Sequence, residues 1–224
     1  MIRFSEVSYW HADEKVFCLQ DIILEIPKGK FVAIIGQNGS GKTTVLKLAA
    51  KIIKPRKGQV IYNETYTSSD KVQIGYIPQK LGLIKHLSVS ENLELGYLGV
   101  SNPRDENKKW IAFLEINEML NKKISALSGG EQQRISICRA LLREPNILIG
   151  DEITSNLDIS KEMFVLQLLQ NLSRSDQVTV LVSLHSPELA MRISDRIIGM
   201  RSGKIVFHNK TNQVSKADIK MLYD

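Results

Sequence analysis

Nothing in the 224 residues comes near the roughly 18–20 consecutive apolar positions that a helix needs to cross a bilayer. Any membrane role is therefore expected to come through a partner. The opening Met1-Ile-Arg-Phe-Ser-Glu6 lacks the basic-then-apolar plan of an export signal, which points to the cytosol. Cysteine is nearly missing: Cys18 and Cys138 stand alone, without metal-ligand spacing, and both read as buried thiols. No internal repeat or low-complexity stretch is present. Acidic residues fall short of basic ones, 24 against 30, leaving a net charge of +6. Such a surplus raises the question of nucleic-acid binding. Apart from Lys54-Pro-Arg56-Lys57, Lys108-Lys109 and Lys122-Lys123, however, the basic residues are scattered, with no stripe interleaved by aromatics. The charge reads as solvated surface with attraction for nucleotides and anionic headgroups, and no nucleic-acid partner is expected.

What is present is the composition of an ordinary globular chain, 43% apolar and 24% charged, with enough apolar material for a real core. Residues 3–7 and 19–26 alternate as strands do, broken by Pro27-Lys-Gly29-Lys. Phe31-Val-Ala-Ile-Ile35 is a continuous apolar run ending in glycine, the pattern of a central buried strand. Gly41–Ala50 reads as a helix with Val45, Leu46, Leu48 and Ala49 on its buried side. Further runs at Ile74–Ile77, Ile147–Ile149 and Val178–Val182 alternate with helical stretches, which predicts α/β architecture around a largely parallel sheet. From about Leu81 to Ala126 the spacing turns helical, through Val89, Leu93 and Leu95, then Trp110, Phe113, Leu114 and Ile116, with Asn102-Pro103 between. This predicts one domain over residues 1–224: a core lobe of about 1–80 and 127–224, and an inserted helical lobe of about 81–126. Ile197–Phe207 reads as a hairpin with a glycine turn, and 215–223 as a short helix.

The chemistry is concentrated in three words. Gly36-Gln-Asn-Gly39-Ser-Gly41-Lys42-Thr43 satisfies G-x-x-x-x-G-K-[ST] between a strand and a helix, the context this motif requires. Its glycines let backbone N–H groups turn toward phosphate oxygens, and the helix N-terminus adds its dipole. Gly36, Gln37, Asn38, Gly39, Ser40, Gly41, Lys42, Thr43 and Thr44 are therefore expected to hold a nucleotide. Lys42 would reach the β- and γ-phosphates, and Thr43 would offer its hydroxyl to Mg²⁺. An apolar strand ending in Gly150 delivers Asp151 toward the same cation, and Glu152 next to it can polarise an attacking water. The third word, Leu127-Ser128-Gly129-Gly130-Glu131, opens a helix. Ser128 and Glu131 form a capping-box pattern that explains them structurally. Two glycines at a helix start cost stability, though, unless something must approach the backbone closely. A second phosphate-binding helix tip fits that need.

Along the chain the order is the P-loop at 36–43, Gln79 in Gly75-Tyr-Ile-Pro-Gln79, the word at 127–131, Asp151-Glu152, then Ser155-Asn-Leu-Asp158 and His185. In that order the words resemble the ATP-binding-cassette ATPases, over almost everything from Val7 to Asn209. The resemblance implies an α/β fold class: a P-loop NTPase core with a parallel central sheet, an antiparallel β subdomain and an inserted helical subdomain. It also implies ATP sandwiched between the P-loop of one subunit and Ser128, Gly129, Gly130 and Glu131 of another. Gln79 would touch Mg²⁺ together with Thr43 and Asp151, His185 would contact the γ-phosphate, and the segment of Asp158 would cross the dimer interface. Lys42, Gln79, Glu152 and His185 make up the expected catalytic set. Ile153 stands where the family usually has proline, and Ser186 where an acid is common; neither removes a chemical group. The family's adenine-stacking aromatic falls on His11, beside Trp10 and Tyr9.

The resemblance further implies a free-standing nucleotide-binding subunit, partnered by a second ATPase subunit and by integral membrane permease subunits. It would sit peripherally on the cytoplasmic face of the membrane, with the groove around Gln79–Glu91 meeting the permease. Ser183-Leu-His185, Asp195–Arg201 and Gly203–Phe207 are similar to ATPases of phosphonate importers. Leu127–Arg134 with Thr154–Asp158 is also common in lipoprotein-releasing and macrolide-export ATPases. Import is favoured over export. The alternative class is a soluble, non-transport relative such as an iron–sulfur assembly factor; a P-loop small-molecule kinase would leave Ser128 and His185 unexplained.

Overall fold

The structure, a computed structural model, describes residues 1–11, 18–62, 72–97, 109–155 and 157–223. Six strands form the central sheet: β3 (Phe31–Ile35), β5 (Ile74–Ile77), β6 (Ile147–Gly150), β7 (Thr179–Ser183), β8 (Arg196–Arg201) and β9 (Lys204–Lys210). Their order is β5-β6-β7-β3-β8-β9, parallel except for the last pair. A smaller antiparallel sheet joins β1 (Ile2–Tyr9), β2 (Leu19–Ile26) and β4 (Lys57–Tyr62) in the order β2-β1-β4.

Why β3, β6 and β7 carry no polar alternation is clear from their surroundings. Side chains of a strand alternate between faces, and here both faces are covered. Phe31, Ala33, Ile35, Leu148, Val180 and Val182 enter one apolar cluster, while Val32, Ile34, Ile147, Ile149 and Leu181 enter the other. The second cluster also receives Val45, Leu46, Leu48 and Ala49 of α1 (Lys42–Ala49), the four residues expected from the sequence. Burying each of the larger three contributes about 1.5–3 kcal/mol relative to exposure, enough to fix the helix behind the glycine loop.

Between β5 and the helix α4 (Gly129–Leu141), the described residues hold no strand but two short helices, α2 (Val89–Glu94) and α3 (Lys109–Phe113), with single 3₁₀ turns. Val89, Leu93, Leu114 and Ile116 are buried and join the first cluster. Trp110 packs at its edge, whereas Phe113 is exposed and stacks on Phe164 of α5 (Ile159–Ser175) at 5.2 Å between ring centroids. The Asn102-Pro103 break lies outside the described residues. The remaining helices are α6 (Pro187–Ile193) and α7 (Lys216–Lys220). No helix among the described residues is long and apolar enough to cross a membrane.

One strand escaped the sequence pattern, and one reading needs correction. Sequence pattern gives no sign of β4, where Lys54-Pro-Arg56-Lys57 reads as a basic surface cluster. The strand begins at Lys57 and is half exposed, so its pairing with β1 defines it more than any alternation of its own. Cys138 is fully buried and its thiol pKa is pushed up to about 12 by that burial, but Cys18 is only partly covered.

Candidate active site

Parallel strands point their carboxyl ends to one edge of the sheet, and ligands in such folds gather there. Four of them do so here. The loop after β3 carries Gly36–Gly41, Gln79 follows β5, Asp151 and Glu152 follow β6, and Ser183 with His185 closes and follows β7. Between them opens a cavity of about 620 Å³ lined by Asn38, Gly39, Gly41, Lys42, Thr43, Thr44, Gln79, Glu152 and His185, with Cys18, Ser202 and Gly203 on the outer wall.

The glycine loop is shaped by close backbone approach. Gly36 has φ +150°, and a β-carbon there would sit 2.1 Å from the carbonyl oxygen of Met200, so no side chain fits. Lys42 is 6% exposed and Nζ donates to the carbonyls of Gly36 at 2.9 Å and Gln37 at 3.0 Å. Its pKa is lowered by burial, while the carboxylates of Glu152 and Asp151 pull the other way. The first turn of α1 has no side-chain cap at Gly41, so its leading N–H groups lack the usual oxygen partner. Ser40 Oγ is buried with no hydrogen-bond partner. Uncapped N–H groups and a buried ammonium make a donor set, and a phosphate would supply the missing acceptors.

Opposite the loop, one carboxylate oxygen is the focus. Glu152 Oε2 accepts from Gln79 Nε2 at 2.6 Å and lies 3.0 Å from His185 Nε2. Glu152 adopts φ +51°, an uncommon conformation for a side-chain-bearing residue. Ser183 sustains it: its hydroxyl accepts from the Glu152 N–H at 2.8 Å and donates to Asp151 Oδ1 at 2.8 Å. Asp151 is 2% exposed and is held just behind the cavity wall. Among the described residues no three His, Cys, Asp or Glu side chains gather as a self-sufficient metal cage. A cation here would depend on oxygens of the nucleotide, as Mg²⁺ sites commonly do.

The structure thus brings Lys42, Thr43, Thr44, Gln79, Glu152 and His185 to one cavity, with Asp151 behind. It does not bring Ser128, Gly129, Gly130 or Glu131 there. Ser128 and Gly129 are exposed, and the capping box is formed, with Ser128 Oγ accepting from the Glu131 N–H and Glu131 accepting from the Ser128 N–H at 2.7 Å. His11 is exposed, edge-on to Tyr9, and does not line the cavity. Gly36 and Ser40 support the loop from behind, and the side chain of Gln37 turns away. Asp158 caps α5 through Lys161 N–H at 3.0 Å. Ser183, Cys18 and the Ser202–Gly203 turn escaped sequence reasoning. For Ser183 a signal existed: a hydroxyl directly after the apolar run Val180–Val182, at the carboxyl end of a parallel strand.

Replacing Ser183 with alanine strands a buried carboxylate and the Glu152 N–H. A loss of about 1–3 kcal/mol in stability is expected, together with slower turnover at little-changed KM. Wild-type melting temperature and turnover in that variant would refute this supporting role of Ser183.

A glycine loop between a buried parallel strand and an uncapped helix, facing an acidic pair from another parallel strand, defines a P-loop nucleoside triphosphatase. Comparison with known proteins narrows this. The ABC transporter family matches residues 19–155, more than half of the chain. The phosphonates import ATP-binding protein PhnC 3 of Halalkalibacterium halodurans is 30% identical, covering 100% of this chain and 94% of the relative. The corresponding PhnC of Wolinella succinogenes is 32% identical over 100% of this chain and 88% of its own length. An ATP-binding cassette solved as a dimer in a post-hydrolysis state with ADP and Pi superposes with TM-score 0.83 at 30% identity, covering 94% of this chain and 99% of its own. The chain belongs to the ATP-binding-cassette family of ABC transporters, and it is an ATPase that binds ATP.

Proposed function

We propose that the chain is the nucleotide-binding subunit of a membrane importer, and that two such cassettes close on ATP and reopen after hydrolysis. The observation that carries this reading is the separation of the two phosphate-binding words. The cavity around Lys42 is lined by none of residues 127–131, while the Ser128–Gly129 helix tip stands exposed outside it. A second protomer, packed head to tail, supplies the missing wall with its own tip. Relatives named for phosphonate import favour import over export. We assign the permease contact to the groove around Gln79–Glu91. The division into a core of about 1–80 and 127–224 and a helical lobe of about 81–126 fits that motion. Such a subunit works on the cytoplasmic face of the membrane, held there by its permease.

Roles follow from position. Lys42 and the N–H groups of Gly39–Thr44 hold the phosphates. Thr43, Asp151 and Gln79 would hold Mg²⁺, which when bound neutralises charge that develops on the phosphoryl oxygens. Glu152 takes the proton of the attacking water, and His185 orients Glu152 and reaches the γ-phosphate. One ring among Tyr9, Trp10 and His11 supplies the stack for adenine.

Subunit mixing tests the shared site. Ser128→Arg and Lys42→Ala chains should each be inactive alone. Mixed, they should recover roughly one quarter of the wild-type rate, because half of random pairs are mixed and each has one complete site. Failure of every mixture to hydrolyse ATP would count against sharing across protomers.

A further inference from the structure

The phosphate-binding loop is gripped on its outer side by a stretch of chain with no role in the site so far. Gln37 is the second residue of the loop, yet its Nε2 donates to the carbonyl of Tyr223 at 3.0 Å. Its own carbonyl accepts from Lys42 Nζ at 3.0 Å, so a single residue joins the last turn of the chain to the phosphate-binding ammonium. Two residues before Tyr223, the carbonyl of Met221 accepts from Arg201 Nη1 at 2.8 Å. Arg201 precedes the Ser202–Gly203 turn on the cavity wall. That turn returns to the loop through the Gly203 N–H, which donates to the Ser40 carbonyl at 3.0 Å. The bonds close a ring: loop, hairpin turn, segment 215–223, and loop again.

The segment is not a loose end. Leu222 is 0% exposed and joins the main apolar cluster, which also holds Leu184, next to His185, and Ala190 and Ile193 of α6. Ser215 caps α7 reciprocally with Asp218. The phenol of Tyr223 is shifted upward by burial and then by Glu188, at the head of α6. One short stretch therefore touches the phosphate loop, the hairpin turn and the element that follows His185.

We propose that residues 215–223 form a strap that pre-shapes the phosphate loop for ATP, with Gln37 as its positioning residue and not a nucleotide ligand. This rests on reading Gly36–Thr44 as the ATP site. Glycine-rich backbone loses much conformational freedom when ordered. A loop already held in its bound shape escapes that loss at the moment of binding, and affinity rises accordingly.

A mutant cycle tests the strap, read as the affinity of a fluorescent ATP analogue and as KM against kcat. Gln37→Leu removes the donor and should weaken binding about three- to tenfold, the effect of one hydrogen bond, with kcat within about twofold. In a chain ended after Val214, already weakened by loss of the strap, Gln37→Leu should cost nothing further, since two changes to one contact do not add. Arg201→Met, at an exposed position, gives a second background should the shortened chain not fold, and the cost of Gln37→Leu should shrink there too. Equal cost in every background would mean that Gln37 meets the nucleotide directly, and no cost in the intact chain would mean that the strap does not act; either result overturns the proposal. Lys42→Ala in parallel separates the two readings. If it spares binding the site assignment fails, whereas if it abolishes binding while Gln37→Leu is silent, only the strap fails.

Discussion

Replacing Glu152 with glutamine lowers ATP turnover by about 10²–10⁴-fold, the range for losing a general base, and leaves ATP affinity nearly unchanged. The geometry explains why the two effects separate. Glu152 Oε2 is an acceptor for Gln79 and His185, and an amide oxygen can still accept from both. The φ of +51° and the N–H bond to Ser183 belong to the backbone, so they survive the exchange. What disappears is the basic oxygen proposed to take a proton from water. Rapid hydrolysis by this variant would move the general base elsewhere.

Lys42→Ala acts on the other side of the cavity and on the other parameter. Its ammonium is buried, held by two loop carbonyls, and has a third proton to give. A hydrogen bond to a charged group contributes about 1.5–3 kcal/mol, and the acceptor proposed here is a phosphate. ATP binding should therefore weaken by at least about tenfold to a hundredfold, measured by titration with a fluorescent nucleotide. The substitution also leaves the carbonyls of Gly36 and Gln37 without their donor, so the loop itself should loosen. Retained affinity would remove Lys42 from the phosphate grip.

Legibility of the fold followed the covering of each element. Phe31–Ile35 and Ile147–Ile149 are enclosed on both faces, so composition alone marks them as central strands. Strand β4, on a half-exposed edge of the small sheet, takes its identity from a partner more than fifty residues away and left no pattern to read. The site divides in the same way. Lys42, Thr43, Asp151 and Glu152 lie within a few residues of the strand ends that position them, and local words announce them. Ser183 is bound to Asp151 across neighbouring strands, and Gln37 to Tyr223 across 186 positions. No local pattern encodes pairings of that span. Cys18 could not be placed from sequence for a similar reason: its neighbour on the cavity wall is the Ser202–Gly203 turn, reached only by folding.

The capping box at Ser128 shows where physical reading and family resemblance part. Within one chain Ser128 and Glu131 satisfy each other, which explains both residues without any ligand. The capping box does not account for the two glycines that follow Ser128, of which Gly129 is exposed and Gly130 half-buried at the helix tip.

The most direct measurement is the mass of Glu152→Gln in solution by light scattering, with ATP and Mg²⁺ and without them. A value near 25.3 kDa without nucleotide, doubling when ATP is added, is the result expected. A variant that binds ATP stoichiometrically yet stays at 25.3 kDa would contradict a site shared between two protomers.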